Sequence, residues 1–127
     1  MNIALDTNAY SDFANGNPVR ISVIRSASRV YLPLFTLAEL RLGFQRGAQS
    51  QRNEASLQRF MRTPRVELLV PDELTTQHYA QLGNQLRQQG TPIPINDLWI
   101  AALVVQHGLI LCTSDAHFDH LPQIPKC

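Results

Sequence analysis

Short, continuously apolar segments separated by helical patterns are the feature that most constrains the fold of this chain. The segments expected to form strands are residues 2–6, 30–33, 66–70 and 109–113. Because they are mainly apolar rather than alternating, both faces of the sheet should be covered, which is typical of parallel sheets. The sequence therefore predicts an α/β fold with a parallel central sheet between helices.

Helical patterns fill the intervals between these segments. Pro18 suits a first helical turn, Gly90 and Gly108 suit helix ends, and Thr36 is a candidate N-cap. The predicted helices cover residues 18–28, 35–44, 53–62, 72–90 and 96–108. At 127 residues the chain can bury a core of its own, so we expect a single domain over residues 1–127.

Composition narrows the setting of the protein. No apolar stretch is long enough to span a membrane and no secretory signal pattern opens the chain, which predicts a cytoplasmic protein without a membrane partner. Cys112 and Cys127 form neither a disulfide framework nor a metal-ligand spacing, so both are expected to be reduced. The only lysine is Lys126, which disfavours mechanisms that need a lysine inside the fold.

Four acidic residues occupy unusual positions relative to the predicted elements. Asp6 and Asp115 directly follow the first and last strands, Glu39 follows the second strand, and Asp97 begins an apolar helix. The carboxyl ends of parallel strands meet at one edge of a sheet, where ligands bind. Two carboxylates about 4 Å apart repel by roughly 4 kcal/mol at an effective dielectric constant near 20, so a converging set requires a cation.

The donor chemistry predicts which cation this is. The four side chains offer only oxygen, with no His or Cys nearby at metal-ligand spacing, which favours Mg²⁺ or Mn²⁺ over Zn²⁺. Such an ion suits phosphate chemistry. Asn8 and Thr113 are candidate supporting residues beside the carboxylates, and His117 could approach a substrate.

Each acid also has a structural interpretation. Glu39 lies three residues after Thr36, a capping-box spacing, and Asp97 lies at a helix start, where the helix dipole favours an acid. Asp6 and Asp115 could be turn residues. Any one of these is plausible alone, but four together favour a site. Asp119 is expected to be a solvated surface residue.

Four short motifs resemble those of the PIN-domain family, and more narrowly the VapC-type toxins of bacterial toxin–antitoxin pairs. They span the chain in order, as "LDTN" at 5–8, "TLAEL" at 36–40, "NDLWIAA" at 96–102 and "TSDAHF" at 113–118. The resemblance implies a three-layer α/β/α sandwich around a parallel sheet. It also implies a metal-dependent endoribonuclease.

The resemblance carries over residue by residue. Asp6, Glu39, Asp97 and Asp115 match the four acids in order, while Asn8 and Thr113 match the polar residues beside the first and last acids. It implies phosphodiester hydrolysis with one or two Mg²⁺ or Mn²⁺ ions. Asp6, Asp97 and Asp115 would be the principal ligands. Glu39 would be a further ligand or would orient the attacking water.

The implied partners are an RNA substrate, a second copy of the chain in a homodimer, and a small VapB-like antitoxin. The net charge of +1 does not by itself indicate RNA binding. RNA that reaches an acidic site therefore requires positively charged residues around its rim. Arginines of the middle third are candidates for the rim of the site: Arg41, Arg46, Arg52, Arg59, Arg62 and Arg65.

Two alternatives stay open at this point. One is a non-catalytic PIN-like module that binds RNA or protein, although none of the four acids is lost. The other is a solitary RNA-processing nuclease without an antitoxin. Receiver domains and haloacid-dehalogenase-like phosphatases are disfavoured because both use a lysine that this chain lacks inside the fold.

Overall fold

The computed structural model describes all residues, 1–127, and contains one four-stranded parallel sheet. The strand order is β3-β2-β1-β4. The strands are β1 Asn2–Leu5, β2 Arg29–Pro33, β3 Val66–Leu69 and β4 Ile110–Cys112. The predicted parallel sheet is confirmed, and β1 pairs with β2 on one side and β4 on the other.

Six helices cover the two faces of this sheet, which confirms the predicted three-layer α/β/α sandwich. The helices are α1 Thr7–Ala14, α2 Pro18–Ser26, α3 Leu34–Arg46, α4 Ser50–Met61, α5 Glu73–Gln89 and α6 Ile95–His107, with a 3₁₀ turn at Ala116–His120. The sequence analysis missed α1, a helix of only eight residues that directly follows Asp6. None of the helices combines the length and apolar character that a membrane span requires.

Alternation along the strands separates two hydrophobic clusters. Ile3 and Leu5 of β1 point to the layer that contains α1 to α4, where Leu57 is fully buried. Ala4 points to the opposite layer, where Leu103 of α6 packs beside residues of α5. Burial on both faces explains why β1 and β4 are mainly apolar, whereas the edge strand β3 carries the exposed Glu67.

The helix boundaries confirm some predicted signals and contradict one. Gly90 and Gly108 end α5 and α6 in the left-handed conformation, with φ of 72° and 61°. Thr36 is not an N-cap, because α3 begins at Leu34, immediately after Pro33. Thr36 is instead buried and its hydroxyl donates to the carbonyl of Leu5 at 2.9 Å, which ties α3 to the end of β1.

The C-terminal segment returns to the sheet beside β4. The backbone N–H of Leu111 donates to Pro125 and that of Cys127 donates to Leu111. This return places Cys127 against Cys112, and the two form a disulfide. The prediction of two reduced cysteines is therefore wrong for this structure, because the sequence could not show that the tail pairs with β4.

Candidate active site

Asp6 links the end of β1 to the start of α1 and is buried, with 3% of its surface exposed. Its Oδ1 accepts from the backbone N–H of Thr7 at 2.8 Å, so Asp6 is the N-cap of α1. Its Oδ2 accepts from the Thr113 hydroxyl at 2.8 Å and from the Asn8 amide at 3.3 Å. The carboxylate is therefore held in one orientation by three donors.

Asp97 lies in the first turn of α6 and is buried, with 7% exposed. The helix begins after Pro94 and no side chain caps it, so Asp97 has no capping bond. Its Oδ2 instead lies 2.9 Å from Nδ1 of His117. The interpretation of Asp97 as an acid favoured only by the helix dipole does not account for this contact.

Asp115 begins the 3₁₀ turn that follows β4, and its Oδ1 accepts from the backbone N–H of His117 at 2.9 Å. The same Oδ1 lies 3.0 Å from Nδ1 of that imidazole. One ligand atom each from Asp97, Asp115 and His117 can be chosen so that all lie within 4.8 Å of one another. These three side chains could hold a metal ion.

Glu39 reaches the site from α3 and is half-buried. Its Oε2 accepts from the hydroxyl of Thr7 at 3.1 Å, and Thr7 also donates its N–H to Asp6. The capping-box interpretation of Glu39 is wrong, because Thr36 does not cap α3. Glu39 is thus connected to the site through Thr7.

The electrostatics of the cluster reflect burial and mutual repulsion. Burial raises the pKa of Asp6 above its ordinary value, and the charge of Asp115 adds to this against the opposing hydrogen bonds from Thr113 and Thr7. Burial also raises the pKa of Asp97, opposed by the hydrogen bond with His117 and reinforced by the charges of Asp6 and Asp115. Three of the four predicted acids therefore lie within electrostatic range of one another.

Polar residues around the carboxylates form a connected network. The Thr113 hydroxyl, which donates to Asp6, also accepts from the backbone N–H of Asp115 at 2.9 Å. The Asn8 side chain accepts from the N–H of Ser114 at 2.8 Å while it donates to Asp6. Ser114 in turn accepts from Arg20 at 2.8 Å. Asn8 and Thr113 thus lie where the sequence predicted supporting residues.

The sequence predicted only that His117 could approach a substrate and missed its contacts with the acids. The prediction that no histidine lies near the acids at ligand spacing is wrong, because the 3₁₀ turn folds the imidazole back over Asp115. The hydrogen bond with Asp97, and then the charges of Asp115 and Asp97, raise the pKa of His117 above its ordinary value. The signal was the spacing Asp-Ala-His, which places an imidazole two residues after an acid.

Some charged side chains on the surface form ion pairs or hydrogen bonds within the protein, and others form no ion pair. Asp119 is exposed and pairs with Lys126 at 3.0 Å, as expected for a solvated acid. Arg41 forms a two-pronged pair with Glu54, and Arg65 donates to backbone carbonyls near the end of α2. Four further candidates for RNA contact are exposed and form no ion pair: Arg46, Arg52, Arg59 and Arg62.

A groove of about 510 Å³ lies between α1 and the α3–α4 hairpin, away from the carboxylates. Tyr10, Phe13, Phe44 and Phe60 contribute its apolar wall, and Arg52 lies on its lining. None of the four predicted acids lines this groove. The carboxylate cluster therefore lies outside this groove.

Both the sequence and the structure of this chain are similar to those of known proteins. Residues 3–124 match the family model described as PIN domain. Over 89 residues the chain is 35% identical to ribonuclease VapC4 of Mycobacterium tuberculosis, covering 70% of this chain and 68% of that protein. It is 34% identical over 114 residues to ribonuclease VapC1 of Haemophilus influenzae, covering 86% and 83%. The crystal structure of DNA-bound VapBC from Salmonella typhimurium includes a chain that superposes with a TM-score of 0.86 at 28% identity, over 100% of this chain and 97% of that one.

Proposed function

The chain belongs to the PIN domain family, and we propose that it is a metal-dependent endoribonuclease that acts as the toxin of a toxin–antitoxin pair. Relatives more than 30% identical over most of the chain are named ribonucleases, and the superposed structure is a VapBC complex. The substrate is RNA, cleaved at phosphodiester bonds.

The observation that carries this proposal is the convergence of buried carboxylates at the carboxyl edge of the sheet. Asp6 and Asp97 are almost fully buried, and no arginine or lysine forms an ion pair with Asp6, Asp97 or Asp115. Buried charges are costly unless they are paired or coordinate a cation. The geometry of the four acids therefore supports a cation-binding centre.

The donor set fits a hard divalent cation such as Mg²⁺ or Mn²⁺, because the acids offer carboxylate oxygens. Asp6, Asp97 and Asp115 would hold it, with Glu39 as a further ligand or as the group that orients the attacking water. Bound there, such an ion lowers the pKa of a water molecule and neutralises charge that develops on phosphate.

The chain's own residues set the orientation of the acids. Thr113 and Asn8 fix Oδ2 of Asp6, and the Thr7 N–H fixes Oδ1. Thr7 also holds Glu39 on the side of the site opposite β4. Side chains held in this way lose little entropy on binding substrate, which favours a positioned, in-line attack on phosphorus.

RNA cleavage with Mg²⁺ or Mn²⁺ tests this function. Asp6→Asn and Asp115→Asn should each abolish cleavage, whereas Asp119→Asn, in the same 3₁₀ turn as His117 but outside the cluster, should keep it. The products should carry 5′-phosphate and 3′-hydroxyl ends. Unchanged cleavage in both cluster variants would defeat the assignment.

Calorimetry with Mn²⁺ separates the nuclease from a non-catalytic PIN-like module. A nuclease should bind Mn²⁺, and Asp97→Asn should remove most of that binding. A module that binds only RNA or protein should show no Mn²⁺ binding that depends on Asp97.

The partners follow from the same proposal. A small VapB-like antitoxin should bind the protein and suppress its cleavage of RNA, and the toxin should form a homodimer in the cytoplasm. A short reading frame for a DNA-binding protein beside this gene, whose product inhibits the nuclease in vitro, would support the pair. A solitary RNA-processing nuclease would lack that neighbour.

A further inference from the structure

His117 is placed where one nitrogen atom contacts two carboxylates from different parts of the fold. Its Nδ1 lies 2.9 Å from Oδ2 of Asp97, on α6, and 3.0 Å from Oδ1 of Asp115, after β4. The sequence predicted a site of oxygen donors only. The structure adds a nitrogen donor to it.

The spacing of these atoms matches that of adjacent ligands around an octahedral ion. Ligands about 2.1 Å from such an ion lie about 3.0 Å from their neighbours, since the edge of an octahedron is longer than its radius by the square root of two. Both contacts of Nδ1 have this length. Each of the two oxygens therefore lies from Nδ1 at a distance that suits either a hydrogen bond or shared coordination, and the three ligand atoms lie within 4.8 Å of one another.

The backbone holds the imidazole in this position. The N–H of His117 donates to Asp115 at 2.9 Å, and the next residue, Phe118, is fully buried in the core. The backbone is therefore fixed on both sides of the imidazole, and the two carboxylate contacts of Nδ1 orient the ring. Its Nε2 makes no hydrogen bond within the protein and its side chain is 47% exposed, so Nε2 can keep a proton that faces water.

We propose that His117 is a ligand of the divalent ion through Nδ1, so that the centre is a mixed nitrogen–oxygen site that prefers Mn²⁺ to Mg²⁺. This inference rests on the proposed metal-dependent nuclease. Imidazole suits transition-metal ions, whereas Mg²⁺ selects oxygen donors. Loss of the imidazole should therefore weaken Mn²⁺ binding more than Mg²⁺ binding.

Pulsed electron paramagnetic resonance of the Mn²⁺-loaded protein tests the contact directly. The wild type should show modulation from a directly coordinated ¹⁴N nucleus, and His117→Gln should lose it. The control is His120→Gln, because His120 is exposed on the same 3₁₀ turn and its side chain contacts none of the acids. The His120 variant should keep the wild-type spectrum.

Binding titrations supply the second measurement. His117→Gln should weaken Mn²⁺ binding by at least about tenfold, in line with losses seen when metal-site groups are removed. Mg²⁺ binding, measured by competition with Mn²⁺, should weaken clearly less. Equal losses for the two ions would overturn the proposed preference.

The wild-type spectrum can overturn the ligation even if the His117 variant fails to fold. A wild type that binds Mn²⁺ and cleaves RNA but shows no ¹⁴N modulation overturns the inference and leaves the proposed nuclease standing. A wild type that neither binds Mn²⁺ nor cleaves RNA overturns both.

Discussion

The Thr113 hydroxyl donates to Oδ2 of Asp6 at 2.8 Å, and this bond joins residues 107 positions apart in the chain. It connects the loop after β4 with the end of the neighbouring strand β1. The hydroxyl oxygen of Thr113 also accepts from the backbone N–H of Asp115 at 2.9 Å. One hydroxyl thus sets the relative positions of two acids.

Thr113→Val should therefore weaken both Mn²⁺ binding and RNA cleavage. Removing a group that orients metal ligands typically costs about 10- to 100-fold in affinity or activity. Thr113→Ser keeps the hydroxyl and should retain most of both, as measured by calorimetry and cleavage rates. A Val variant that behaves like wild type would show that the hydroxyl does not position the acids.

The metal-free protein should lose stability as pH rises through the raised pKa values of Asp6, Asp97 and His117. Folding raises the pKa of Asp6 and Asp97 above 3.8, so the folded state holds their protons more tightly and loses that advantage as pH rises through the raised values. The pKa of His117 is also raised, from 6.5, so its stabilising contribution is present below 6.5 and is lost as pH rises through the folded pKa. All three groups act in the same direction.

Thermal melting in EDTA between pH 5 and 8 measures this loss of stability. Asp97→Asn should make the melting temperature fall less with pH, because it removes one carboxyl with a raised pKa and the carboxylate partner of His117. The control, Asp119→Asn, should leave the pH dependence unchanged. Saturating Mn²⁺ should oppose the decline, because ligands bind metal in their deprotonated forms. A melting temperature that stays constant or rises between pH 5 and 8 in EDTA would contradict the assignment.

Arg20 should contribute to stability through contacts that lysine cannot reproduce. It is 9% exposed, and its two terminal nitrogens donate to the carbonyl of Cys127 at 3.0 Å and to the hydroxyl of Ser114 at 2.8 Å. Arg20→Lys should destabilise the fold by about 1–3 kcal/mol, since one ammonium cannot make both contacts. The pair of Arg20 with exposed Asp12, at 3.7 Å, should add little.

Urea unfolding checks the role of Arg20, with Arg25→Lys as the matched control. Arg25 is exposed on the same helix, so its variant should stay within about 0.5 kcal/mol of wild type. Equal effects at the two positions would show that the buried contacts of Arg20 are not what stabilises α2.

The disulfide between Cys112 and Cys127 should stabilise the oxidised protein. The cysteines are 15 residues apart, and closing a loop of that length contributes about 3 kcal/mol in the chain-entropy model. Cys127→Ser, or reduction of the wild type, should lower the melting temperature. Alkylation followed by mass spectrometry should find no free thiol in the oxidised protein, and two labelled cysteines there would contradict the pairing.

The parts of this fold that sequence reasoning predicted are those that local patterns determine. Four apolar segments indicated the strands, and the rule that parallel strands share a carboxyl edge brought Asp6 and Asp115 to one place. The missed features depend on contacts through space. Thr36 bonds to Leu5 rather than capping α3, and the Cys112–Cys127 pairing exists because the tail returns to β4.

His117 illustrates the same limit within the site. Its spacing from Asp115 is visible in the sequence, but the direction of its ring depends on the 3₁₀ turn and on the buried anchor Phe118. No periodic pattern in the sequence predicts a single 3₁₀ turn. Its contact with Asp97, twenty positions earlier in the chain, could only be seen once α6 and β4 were packed together.

The C-terminal tail that pairs with β4 also determines which edge of the sheet is free to pair with another chain. Because Pro125 and Cys127 bond to the backbone of Leu111, they occupy that margin of the sheet, and β3 is left as the open margin. An open strand margin is a template for adding foreign strands. Cutting the Cys112–Cys127 bond would leave the tail held by hydrogen bonds and the burial of Ile124, so that its detachment would expose a second such template and reduced protein should be the form more prone to self-association.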